Sequence, residues 1–98
     1  MKITKTKIGN ELTVALEGRL DTTTAPELEK FLESELHGLQ KLVFEFKDLE
    51  YISSAGLRVL IYALQCLEFQ NCMTIRNCSP EVLEVFEVTG FMEMVNIQ

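Results

Sequence analysis

The sequence predicts an α/β fold in which helices pack on one mixed β-sheet, and three observations lead there. Apolar runs of strand length alternate with stretches whose apolar residues recur at helical spacing. Helix-start signatures, Thr24-Ala25-Pro26-Glu27 and Ser79-Pro80-Glu81, stand directly before two of the helical stretches. The run Lys41-Leu42-Val43-Phe44-Glu45-Phe46 is almost continuously apolar, as a strand covered on one or both faces requires. Read along the chain, the order is β-β-α-β-α-β-α with an optional closing strand. Such alternation calls for a layered sheet with right-handed crossovers.

The elements follow in order. Residues 3–8 alternate weakly, and Gly9-Asn10 reads as a turn into residues 12–16, where Leu12, Val14 and Leu16 share a face. The two runs make a hairpin, which Gly18 is expected to end. In the first helix Thr24 is expected as the N-cap of a capping box with Glu27 at N3. Pro26 sits in the first turn, where its missing N–H costs nothing. Leu28, Phe31, Leu32 and Leu36 form its apolar stripe, opposite Glu29, Lys30, Glu33 and Glu35, and Gly38 is placed as its C-cap. A second helix starts at Ser53-Ser54-Ala55-Gly56. Leu57, Leu60, Ile61, Leu64 and Leu67 are its expected buried stripe, with Arg58, Tyr62 and Gln65 on the other side. Residues 72–76 form a short strand. Ser79 caps a third helix, given by the spacing of Val82, Leu83, Val85 and Phe86, that ends near Gly90. Residues 91–97 read as a strand or a frayed turn.

Length and composition narrow the function. The 98 residues are expected to form a single domain, residues 1–98, and 47% hydrophobic content is enough for one core without staples. A net charge of −6 disfavours phosphate backbones and anionic lipid, so neither direct nucleic-acid binding nor membrane adsorption is expected. No apolar stretch approaches the roughly 20 residues of a membrane span, so no membrane insertion is expected. The start, Met1-Lys2-Ile3-Thr4-Lys5, lacks the apolar core of a signal peptide, and a cytoplasmic protein is expected. Cys66, Cys72 and Cys78 are odd in number and form no C-x-x-C pair, and the one histidine, His37, is remote in sequence. They read as reduced thiols, and no metal site is expected.

Catalytic patterns are missing. The five glycines fit neither G-x-G-x-x-G nor G-x-x-x-x-G-K-[ST], and Ser53-Ser54-Ala55-Gly56 is not G-x-S-x-G. His37 lies at the end of an amphipathic stretch, where it complements the helix dipole. No cofactor and no enzymatic activity are expected. The segment Ser53-Ser54-Ala55-Gly56 stands out because it joins a buried strand to a buried helix, the place where open α/β sheets bind ligands. A serine there also serves as a helix cap, but a pair of serines followed by glycine exceeds what a cap needs.

At this segment the chain resembles the STAS domain of bacterial anti-sigma factor antagonists. Residues 49–60, Leu-Glu-Tyr-Ile-Ser-Ser-Ala-Gly-Leu-Arg-Val-Leu, are similar to that family's signature. Gly18-Arg19-Leu20-Asp21 with Thr22 resembles its G-x-L-D segment. The strand 41–46 with Asp48-Leu49, and Cys78-Ser79-Pro80 before a helix reaching Val88-Thr89-Gly90-Phe91, match in the same order.

The resemblance implies an anti-sigma factor antagonist, which binds an anti-sigma factor that is also a serine kinase and so releases a sigma factor. The kinase, using ATP, modifies one serine of the antagonist, and a phosphatase reverses the modification. Alignment with the family's D-S-[ST]-G-L puts the phosphorylated serine at Ser54, with Ser53 in place of the acid and Ala55 in place of the second hydroxyl residue. Asp21, Thr22, Ser53, Ala55, Gly56 and Arg58 are the expected partner-binding residues, with Asp21 and Arg58 at the rim and Asp48 nearby. Ser54→Ala is expected to cost only a helix cap. Whether Ser53 is itself modified stays open, as does a different use of the domain, as a partner subunit of a lipid transporter or of a sensory complex.

Overall fold

The computed structural model describes residues 1–67 and 72–98. Strands β1 (Lys2–Ile8) and β2 (Glu11–Leu20) form the expected hairpin, with Ile3 opposite Leu16 and Lys7 opposite Leu12. Helix α1 (Ala25–Glu35) leads to β3 (Lys41–Ile52), and α2 (Ser54–Cys66) precedes β4 (Met73–Arg76). Helix α3 (Pro80–Thr89) and a 3-10 turn, Phe91–Glu93, lead to β5 (Asn96–Ile97). The terminal segment, left open between strand and frayed turn, is thus a tight turn followed by a short strand.

The sheet order is β1-β2-β3-β4-β5, with β1 antiparallel to β2 and the rest parallel. An order that never reverses, joined by right-handed crossovers, puts all three helices on one face. Burial agrees with this. One apolar cluster joins Leu12, Val14 and Leu16 of β2, Leu42, Phe44 and Phe46 of β3 and Met73 and Ile75 of β4 to residues of all three helices. The alternate positions Thr4, Thr6, Thr13, Ala15 and Glu45 are exposed or half-buried. Val43 and Thr74 are the exceptions, short side chains buried in the middle of the reverse face. Leu42, Val43 and Phe44 are therefore buried in succession, which is why β3 reads as continuously apolar.

Several local expectations are corrected. Gly18 does not end β2; it sits at φ +105° at a register shift against β3, and the strand continues to Leu20. An irregularity of this kind needs a positive φ, which glycine adopts without strain, so the residue bends the strand rather than stopping it. β3 likewise runs on to Ile52, because the prolonged β2 gives residues 48–52 a partner. Gly38 lies two residues beyond the α1 C-cap, which is Leu36. In α2, Val59 and Ala63 are buried along with Leu57 and Leu60, whereas Ile61, Leu64 and Leu67 are only partly covered. The stripe is rotated because α2 packs against α1 as well as on the sheet.

Candidate functional site

The site is built where β2 and β3 end side by side. Leu20 pairs with Ile52, and the Ser53 N–H donates to the Leu20 carbonyl at 2.9 Å, which holds the loop after β2 against the start of α2. The expected residues Asp21, Thr22, Ser53, Ser54 and Ala55 thus converge although more than 30 positions separate the two loops in sequence.

Each serine has its own task. Ser53 is the N-cap of α2, and its Oγ accepts from the Gly56 N–H at 3.2 Å. Ser54 is the first helical residue and is exposed, and its hydroxyl meets no hydrogen-bonding partner among the described residues. The cap is therefore Ser53, and the expectation that Ser54→Ala removes a cap is corrected. Gly56 is buried in the first turn. A Cβ there would stand 2.6 Å from Leu20 Cγ and 2.9 Å from the Leu20 carbonyl oxygen. The glycine lets α2 approach the end of β2, and it shapes the surface by position.

Thr24 is the N-cap residue of α1 as expected, but its side chain makes no capping-box bond, and the turn before it is held by Asp21. Its Oδ1 accepts from the Thr23 N–H at 3.0 Å, the Thr23 hydroxyl at 2.7 Å and the Thr24 N–H at 3.2 Å. The Thr24 hydroxyl makes no cap; it accepts from the Asp21 N–H and donates to the Arg19 carbonyl, both at 2.8 Å. The threonine hydroxyl is held by the strand end, and the aspartate satisfies the amides of the turn that leads into α1. The Thr23 hydroxyl bond, aided by the two amides and opposed by partial burial, holds the Asp21 carboxyl below its ordinary value of 3.8.

Two neighbours were not legible from spacing. The Arg19 guanidinium lies 4.3 Å from the centroid of the Tyr51 ring, and its Nε is 3.8 Å from Asp21 Oδ2. Only the register that sets Arg19 beside Tyr51 reveals this pair. The second is a groove of about 530 Å³ between α1 and α2, to which Thr22, Pro26, Glu29, Ala55, Arg58 and Tyr62 contribute. Arg58 and Tyr62, expected opposite the buried stripe of α2, line this groove on the α1 side. Asp48 is not part of the site. It pairs with Glu17, four residues back along β3 from Ile52, a distance of about 13 Å at strand rise. It lines a separate depression with Lys47 and Ser79.

Among the described residues no group of three or more His, Cys, Asp or Glu is placed to hold a metal ion, and no helix is long and apolar enough to cross a membrane.

A model of the STAS domain matches residues 2–98. BtrV of Bordetella bronchiseptica, provisionally named an anti-sigma factor antagonist, is 38% identical over 96% of this chain and 83% of its own. The chain belongs to the STAS domain family. Solved STAS structures share the fold. An anti-sigma factor antagonist from Mycobacterium paratuberculosis superposes with a TM-score of 0.89 at 20% identity, covering 98% of this chain and 83% of that one. The Bacillus cell fate determinant SpoIIAA in its phosphorylated form gives a TM-score of 0.75 at 16% identity, covering 99% and 91%. The STAS order of a hairpin followed by three helix-strand units is the one the apolar pattern predicts.

Proposed function

We propose that this STAS protein is an anti-sigma factor antagonist acting in the cytoplasm, a binding protein rather than an enzyme, whose affinity is switched by phosphorylation of Ser54. The observation that carries the reading is the division of labour at the start of α2. Ser53 is held as the cap, while Ser54 presents a free, exposed hydroxyl on the same turn. The family membership and the antagonist names of its relatives support the partner class, an anti-sigma factor with serine kinase activity, and a phosphatase that resets the switch.

In the modifying step the Ser54 Oγ bonds to the γ-phosphorus of ATP, the bond to the ADP oxygen breaks, and the hydroxyl proton passes to a base on the kinase. The product adds a charge of roughly −1.5 to −2. Placed on a surface that a partner must desolvate, this charge weakens binding by about one to a few kcal/mol, or roughly tenfold to several hundredfold. Asp21, Thr22, Ala55 and Arg58 surround the position and form the rest of the contact. Ser53 and Gly56 hold its shape.

The test combines the purified protein, its cognate kinase, Mg²⁺ and ATP. Mass spectrometry is expected to place one phosphate on Ser54, and calorimetry to show weakened binding by the modified form. Phosphate confined to Ser53, or unchanged affinity, overturns the switch.

A further inference from the structure

The helix that carries Ser54 is electrically unlike the rest of the molecule. The chain has 15 acidic residues against nine basic ones, yet α2, of sequence SAGLRVLIYALQC, has a single charge, Arg58. Helices α1 and α3 both carry several glutamates. Arg58 is exposed and makes no ion pair among the described residues, whereas the other two arginines do: Arg19 lies beside Asp21 and Arg76 beside Glu45. It follows Ser54 by four positions, so both side chains lie on the same helical face, with the acceptor N-terminal to the cation. That order is the favourable one for an i, i+4 ion pair.

We infer that Arg58 is the residue that captures a phosphate on Ser54, so that modification also withdraws the one free cation of this face from the partner. This deepens the proposed switch and rests on it. Before modification the face carries +1 from Arg58, which suits a carboxylate on the partner. Afterwards the pair sums to roughly −0.5 to −1, with the guanidinium occupied. The Gly56 N–H is already taken by Ser53 Oγ, and Arg58 is the charged donor that α2 offers the new oxygens. The charged group that competes for Arg58 is Glu29 of α1, which lines the same groove but stands beyond ion-pair distance. On the loop side Asp21 is engaged by Thr23 and Thr24.

The experiment needs no kinase. Phosphoserine is installed at position 54 by genetic encoding, in the parent chain and in Arg58→Gln, Arg58→Lys and Glu29→Gln, and the phosphate is titrated by phosphorus NMR. The second phosphate pKa is expected to be lower in the parent than in Arg58→Gln by about 0.15–0.4 units, the size of a helical ion pair. Arg58→Lys is expected to keep part of that shift, Glu29→Gln all of it, and about 1 M salt to abolish it. Equal values in the parent and Arg58→Gln overturn the inference, as does a shift lost only in Glu29→Gln. Because the phosphate is installed, a shift seen where no kinase modifies Ser54 would sink the switch while leaving the pairing intact.

Discussion

At the scale of single residues, the start of α2 separates three roles within four positions. Ser53→Ala is expected to cost about 0.5–2 kcal/mol through loss of the cap, and Ser54→Ala less than about 0.5, because its hydroxyl bonds nothing in the fold. Gly56→Ala is expected to cost about 1–3 kcal/mol, since the new methyl meets the Leu20 side chain and backbone. Denaturant melts of the three variants rank them, and equal losses for the two serines would contradict the assignment of the cap. Asp21 adds a pH signature. Its folded carboxyl titrates below 3.8, so its contribution is present above that pH and is lost as pH falls through the folded value. Asp21→Asn should therefore lower stability at pH 7, and its melts should converge with the parent's at acid pH. The thiols differ for a similar reason. Burial, with help from Glu45, pushes Cys78 up to about 11, while Cys66 is exposed at the end of α2. Iodoacetamide near pH 8 should label Cys66 first and Cys78 slowly.

At the scale of elements, the site depends on how far two strands run. β2 and β3 continue past the apolar stretches that announce them, and their paired ends carry Asp21 and Ser53 to the same rim. Helix α2 holds that rim down through Leu60, which is fully buried, and Leu57, which is nearly so. Leu60→Ala is expected to cost about 2–5 kcal/mol, and Leu64→Ala distinctly less because Leu64 is only partly covered. Equal effects in denaturant melts would mean that α2 presents a different face to the sheet. The helical period of α2 was legible in the sequence, but its rotation was not. Whether Val59 or Leu64 faces inward depends on α1, and nothing within residues 54–66 encodes the position of that neighbour.

At the scale of the whole molecule, the helices occupy one side of the sheet and the candidate surface lies at the end of the strands. A charge at Ser54 therefore falls outside the core. Ser54→Asp is expected to leave the melting temperature unchanged or to raise it by no more than about 4 °C, since an acid at a helix start is favourable. The same substitution should weaken partner binding. Calorimetric scans show whether fold and binding respond separately, and a large fall in melting temperature would tie Ser54 to the core after all.

The order of elements, the hairpin, the amphipathic helices and the serine-bearing turn were all determined by the sequence alone. Each depends on local period, turn residues and caps, which neighbouring positions express. The tertiary structure decided which serine is the cap, that Asp21 rather than the Thr24 hydroxyl holds the turn before α1, that Asp48 stands apart from the site and that Arg19 stacks on Tyr51. Those outcomes depend on strand register and on the contact of α1 with α2. The groups concerned lie tens of residues apart in the chain, and a pattern that repeats every two or every 3.6 residues carries no information about which distant group ends up beside another.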